Sequence, residues 1–420
     1  MIQAAMYVCI LLCSILISIM DGDLVAQTFS HTETGASDFE YIDTSFENAS
    51  PLYWEIDPNG QIQIFLHYDH ERASTNRAAG HWHFRIEAKK GSQQTIILNN
   101  LLNVYDGRKA SPARESSISV ISSDGLHWRA LPMKLLEEGR VQVTIPMEES
   151  SMYVARIEPY DLSDLERFYT NIRGNALVKI ITIGNTVEGR PLEIVRVGNP
   201  NAPYRVLLRA RAHPWEPGGN WVVEGVVRRL LQGDAVSKEY LERYCMYILP
   251  ITNKDGVARG LTRFNLRGMD LNRGWDTPAD PDLAPERYAL ENWLHGMIDA
   301  GKRPDFAIDF HNDGIGKVHL SRLGPDNTAY VSFLQQYVTL LQELTWFTEG
   351  RVIRDLMRSS AFDKEVEERA GGFLARFGIP SCAHELNADW IAGVSDYPSA
   401  QHWESFGEQL CEVFYQLFEQ

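Results

Sequence analysis

The stretch Tyr204-Arg205-Val206-Leu207-Leu208-Arg209-Ala210-Arg211-Ala212-His213-Pro214-Trp215-Glu216 decides how this chain is read. Its first half, Tyr204–Ala210, is an apolar run of strand length. Its second half must turn, because Pro214 is disfavoured inside a regular helix. The pattern predicts a helix over Asn220–Leu231, with Val223, Val226, Val227 and Leu230 on one face. Further strands are predicted at Leu177–Gly184, Pro191–Gly198, Tyr244–Pro250, Phe306–Phe310 and Ile379–Cys382. Helices are predicted at Ala284–Ala300, Tyr330–Thr345 and His402–Phe418. Strands interleaved with helices predict an α/β domain with its sheet covered on both faces.

Upstream the pattern changes. Gln61–His67 alternates on a period of two, and His81–Glu87, Gln94–Leu98, Ser117–Ile121, Val141–Ile145 and Met152–Arg156 are further short strands. Turn signals such as Asp57-Pro58-Asn59-Gly60 separate them, which predicts an antiparallel β-sandwich. The expected domains are a signal peptide or anchor over 1–26, a flexible lead-in over 27–50, the sandwich over 51–165 and the α/β domain over 166–420. The apolar leader Ala4–Met20 suits a signal segment and is short for a spanning helix. An exported protein is therefore expected, with membrane contact only through an uncleaved leader. Asn48-Ala49-Ser50 is a glycosylation sequon if a glycosylating route exists.

The 420 residues include 56 acidic and 40 basic ones, a formal charge of −16. No basic run offsets this, so nucleic acid is not an expected partner. Cys245, Cys382 and Cys411 lie far apart, which argues for buried free thiols rather than a disulfide framework. His81-Trp82-His83 has the spacing of a ligand pair, but no third ligand is marked nearby, and a structural role is expected.

His213 and Glu216 are three apart on a turn directly after a strand. His311, in Ile308-Asp309-Phe310-His311, closes a second one. Two histidines and a glutamate form a common three-ligand set for catalytic zinc, with a position left for water. Functional groups of open α/β sheets gather at such carboxyl ends. One zinc per chain, held by His213, Glu216 and His311, is the expectation.

With these residues in place, the chain resembles the zinc metallocarboxypeptidases, specifically the branch with an amino-terminal β-sandwich that includes the cytosolic carboxypeptidases. His213-Pro214-Trp215-Glu216 resembles the family's His-x-x-Glu pair. Asn253-Lys254-Asp255-Gly256-Val257 resembles its Asn-Pro-Asp-Gly-Val segment, with Lys254 in place of Pro. Gly268-Met269-Asp270-Leu271-Asn272-Arg273-Gly274-Trp275 resembles its Asp-Leu-Asn-Arg-x-Trp segment. His384-Glu385, in Ser381-Cys382-Ala383-His384-Glu385-Leu386-Asn387, aligns Glu385 with its catalytic glutamate. The resemblance implies an α/β/α peptidase domain with a mixed, mostly parallel sheet, acting on the C-termini of peptides or proteins.

It also implies roles. Glu385 would serve as general base and acid, although an edge salt bridge is the bland alternative for a glutamate beside His384 at a strand end. Asn272 and Arg273 would bind the substrate carboxylate, and Arg263 would polarise the scissile carbonyl, with Arg259 and Arg267 as rivals in register. Arg376 and Arg369 could select an acidic terminal residue such as glutamate. The family's loop tyrosine has no counterpart in Ser359–Gly372, which offers only Phe362. Two other functions fit the same residues: a zinc amidase acting on cell-wall peptides or acyl amino acids, and a non-catalytic binding protein with a degenerate peptidase domain.

Overall fold

The computed structural model describes residues 38–320, 328–348 and 372–419. Two five-stranded sheets face each other across the amino-terminal part. Alternation explains their packing. Along Ile62–Leu66, Ile62, Ile64 and Leu66 are buried while Gln63 and Phe65 are less so. They meet Trp82, Phe84, Ile86, Ile96, Leu98, Val143 and Val154 in one apolar core. The pairings are antiparallel with one exception: Ile62–Leu66 runs parallel to Gln93–Asn99. The lead-in expected over 27–50 is partly structured, because Phe39–Asp43 pairs with His83–Ala88 and buries Phe39 and Ile42. Its sequon is closed. Asn48 is 1% exposed and donates its side-chain amide to the Val257 carbonyl at 2.9 Å.

The second part is built on a seven-stranded sheet. Its order is Val178–Asn185, Pro191–Val197, Tyr244–Leu249, Tyr204–Ala210, Phe306–Asp313, Ser381–Asn387 and Lys317–Leu320. The four strands from Tyr244–Leu249 to Ser381–Asn387 are parallel. The outer pairings are antiparallel. The sheet is thus mixed, with its parallel pairings at the centre. Every residue of Tyr244–Leu249 is buried, as a strand covered on both faces requires.

Helices Gly218–Leu230 and Ala400–Leu417 cover one face together, and their contact is close. A Cβ on Gly225 would lie 1.9 Å from the Glu404 carbonyl oxygen, and one on Gly407 2.0 Å from that of Val222. Only glycine permits that approach. Cys245, Cys382 and Cys411 are free and buried, as expected. Among the described residues no helix is long and apolar enough to cross a membrane.

The sandwich and the α/β part share buried polar contacts. Arg156 and Asp389, each 1% exposed at the side chain, pair at 2.5 Å. Arg156 also donates to the Ile118 carbonyl, and Ser117 donates to Asp389. Removing either charge would strand the other in the interior, at a cost of about 3–5 kcal/mol. The loop that follows Ala258 has little regular structure and is held from the sandwich side. Asp69 accepts from the backbone N–H groups of Arg263 and Phe264 at 2.7 and 2.8 Å, and Thr262 accepts from that of Gly80 at 3.1 Å. This clamp matters because the loop carries Arg263, Asp270, Asn272 and Arg273.

Candidate metal centre and its cleft

The turn after Tyr204–Ala210 is organised by Arg211. Its backbone is left-handed, with φ +59°, a strained conformation for a non-glycine residue. Its buried guanidinium compensates by donating to the carbonyls of Pro214 and Tyr160 and to Asn220, at 2.7, 2.8 and 2.9 Å. The turn so fixed points His213 and Glu216 to the same place. His311 reaches it from the neighbouring strand Phe306–Asp313. Ligand atoms of the three lie within 4.8 Å of one another, and all three side chains are buried.

Each ring has a defined orientation. His213 Nδ1 lies 2.8 Å from one Glu216 oxygen, and His311 Nδ1 lies 2.6 Å from the other. Each Nε2 faces a second carboxylate, Asp270 at 3.1 Å for His213 and Asp309 at 3.0 Å for His311. With Nε2–H donated outward, both Nδ1 atoms face inward as lone-pair donors, a carboxylate–histidine–metal arrangement. Two imidazole nitrogens and one carboxylate are the donor set of catalytic zinc sites. The residues fit that ion.

The electrostatics agree. Burial would raise the Glu216 carboxyl, but the His213 and His311 imidazoles hold it far below the usual carboxylate range. Burial disfavours a charged His311, yet Asp309 and Glu216 push its pKa up to about 10. Asp270 is held well below its normal range despite burial, by Arg263, Arg273 and His213. The centre therefore favours positive charge strongly, which a divalent cation supplies.

A family model for zinc carboxypeptidases matches residues 168–311. Metallo-carboxypeptidases of Burkholderia cenocepacia and Pseudomonas aeruginosa, the latter with (2-guanidinoethylmercapto)succinic acid bound, each superpose with a TM-score of 0.77. Each is 21% identical over 90% of this chain, covering 98% and 99% of theirs. The fold is that of the zinc carboxypeptidases. In sequence, mouse cytosolic carboxypeptidase 4 is 32% identical over 187 residues, 40% of this chain and 16% of that protein. The match thus spans a small part of that relative's length.

Within this zinc-carboxypeptidase fold, Glu385 stands beside the metal centre. It pairs in register with His311 across adjacent parallel strands. The strand runs on to Asn387, so Glu385 lies within it rather than beyond its end at Cys382. His384 points to the other face, among Phe310, Phe347 and Phe406. Burial pushes its pKa down to about 3. Glu385 faces the edge strand Lys317–Leu320 instead, where the His319 Nε2 lies 4.0 Å from one of its oxygens. Glu385 lines a cleft of about 180 Å³ together with His213, Glu216 and Arg263.

Arg263 is the arginine that reaches this cleft. Asp270 grips its guanidinium at 2.7 and 2.6 Å. Arg259 instead pairs with Glu188 near the surface. Asn272 is buried, with a side-chain oxygen that has no hydrogen-bond partner among the described residues. Arg273 is close enough to depress Asp270, and one of its guanidinium nitrogens donates to the Asn272 carbonyl at 3.2 Å.

Arg376 is engaged within the protein. Glu291 accepts from it with both oxygens, at 2.9 and 3.0 Å, and the Trp275 and Thr277 carbonyls take further hydrogen bonds. Arg369 and the Ser359–Gly372 segment with Phe362 lie outside the described residues. His81 and His83 are buried and held by Asn48, and burial pushes their pKa values down to about 4 and about 3. They are structural.

Sequence reasoning missed Asp270 and Asp309 as orienting groups. A signal for Asp309 existed, since positions two apart on a strand share a face, and Asp309 stands two before His311. Lys254, which departs from the family's proline, is buried and pairs with Glu193 at 2.5 Å.

Proposed function

We propose that this chain is a zinc-dependent carboxypeptidase that releases terminal residues from the free C-termini of peptides or proteins. The observation that carries it is the convergence on one cleft of His213, Glu216, Glu385 and Arg263, with His311 completing the metal set. We further propose that it belongs with the sandwich-bearing, cytosolic-carboxypeptidase-like branch, a reading supported by the partial match to mouse cytosolic carboxypeptidase 4. The apolar leader Ala4–Met20 supports export of this chain.

Zinc, when bound, supplies a Lewis acid for the scissile carbonyl and a water that ionises near neutral pH. Glu385 takes a proton from the attacking water and returns it to the departing amine as the C–N bond breaks. Arg263, fixed by Asp270, directs positive charge at the oxygen of the reacting carbonyl. Asn272 and Arg273 hold the terminal carboxylate, the guanidinium through a planar two-point contact. Asp270 and Asp309 keep both imidazoles in register.

Arg273→Lys tests the exopeptidase reading. Lysine keeps the charge and loses the fork, so kcat/KM on a free-carboxylate peptide should fall at least ~10-fold. The same peptide with an amidated C-terminus should be resistant to the parent protein. Equal cleavage of both forms would replace the exopeptidase reading with an endopeptidase or amidase.

A further inference from the structure

The sandwich contributes to the metal cleft. A small sheet of Asp69–His70, Arg77–Ala78, Asn103–Tyr105 and Arg108–Ala110 departs from the two main sheets. Asn103 and Tyr105 from it line the same cavity of about 180 Å³ as His213, Glu216, Arg263 and Glu385.

Tyr105 is placed there with some care. The Arg263 guanidinium lies 4.9 Å from its ring centroid, within cation–π range. Arg263 is fixed by Asp270, and Asp270 bonds to His213, so the ring is linked to the metal centre through three contacts in series. Burial pushes the Tyr105 phenol well above its usual range, with Arg263 opposing and Asp270 adding to the effect. The phenol therefore stays protonated and is a donor. Tyr105 is half-buried, and its hydroxyl makes no hydrogen bond among the described residues. A donor in a confined cleft gains when a ligand brings an acceptor. Peptide substrates are rich in acceptors.

We propose that Tyr105 is a substrate-contacting residue supplied by the sandwich, its phenol donating a hydrogen bond to a carbonyl or carboxylate oxygen of the bound peptide. The inference rests on the carboxypeptidase reading above and makes the sandwich part of the active site. Tyr105 takes no part in holding the metal.

Tyr105→Phe removes the hydroxyl and keeps the ring beneath Arg263. The full zinc-loaded chain should retain its Tm and its zinc content. With a free-carboxylate peptide, chosen from a library varied at its last residue, kcat/KM should fall about 10-fold. A calorimetric titration in the Glu385→Gln background should show Kd weakened by a similar factor when Tyr105→Phe is added. A purely structural tyrosine would instead lower Tm or zinc content and leave Kd unchanged.

If Kd and kcat/KM both stay within twofold of the parent, Tyr105 does not touch substrate and the inference falls. The carboxypeptidase reading would then still stand on the parent's turnover. If the parent binds the peptide without cleaving it, the carboxypeptidase reading falls, and the Kd comparison still decides the role of Tyr105. A parent that neither binds nor cleaves any library member overturns both.

Discussion

Glu385→Gln folds as the parent does, keeps one zinc per chain, and hydrolyses peptides at least ~100-fold more slowly. The geometry explains each part of this expectation. Glu385 is 8% exposed and sits in register with His311, so an isosteric amide leaves strand and centre undisturbed. It is not one of the three residues whose ligand atoms converge, so zinc is retained. Its neighbour His384 is turned into an aromatic cluster and cannot take over as a base. On its own face, the His319 Nε2 lies 4.0 Å from a Glu385 oxygen. Thermal melting, elemental analysis and turnover on one preparation check the three parts together. Near-normal turnover with zinc present would remove Glu385 from the chemistry.

His213→Ala loses both zinc and activity. His213 is a ligand on one side and the partner of Asp270 on the other. Its removal leaves two protein ligands and takes a polar neighbour from Glu216 and Asp270, both buried. Disturbing an outer partner of a zinc ligand already costs roughly 10–100-fold in affinity, and losing the ligand itself costs more. Asp270 also holds Arg263, so the loss should loosen the cleft as well as empty the centre. Elemental analysis after gel filtration reads the result. Stoichiometric zinc in His213→Ala would mean that the centre is not built from His213, Glu216 and His311.

Much of this was legible in the sequence, for identifiable reasons. The helices Pro285–Asp299 and Ala400–Leu417 fall within a residue or two of their predicted spans, because long amphipathic patterns carry many residues of evidence. The metal ligands were legible because His, Glu and His follow apolar strands at chemically meaningful positions. Strand ends were read less well. Phe306–Asp313 and Ser381–Asn387 both extend past the point where polar residues begin. In most strands such residues mark an edge. Here His311, Glu385 and Asn387 are buried polar groups that the site itself accommodates.

Other features were illegible because they depend on distant partners. The small sheet with Tyr105 consists of strands of two or three residues, too short for any periodicity. Phe39–Asp43 lies in a polar context and becomes a strand only by pairing with His83–Ala88. Arg376 was a plausible specificity residue on charge alone. Its partner Glu291 is 85 positions away, and only the fold shows that the pair is closed.

The most direct test of the central claim is mass spectrometry of a peptide with a free C-terminus after incubation with the zinc-loaded chain. Loss of single residues from the C-terminal end, abolished by Glu385→Gln, is the predicted result. Internal fragments, or a peptide left intact across a library varied at its last residue, would contradict the assignment of this cleft as a carboxypeptidase site.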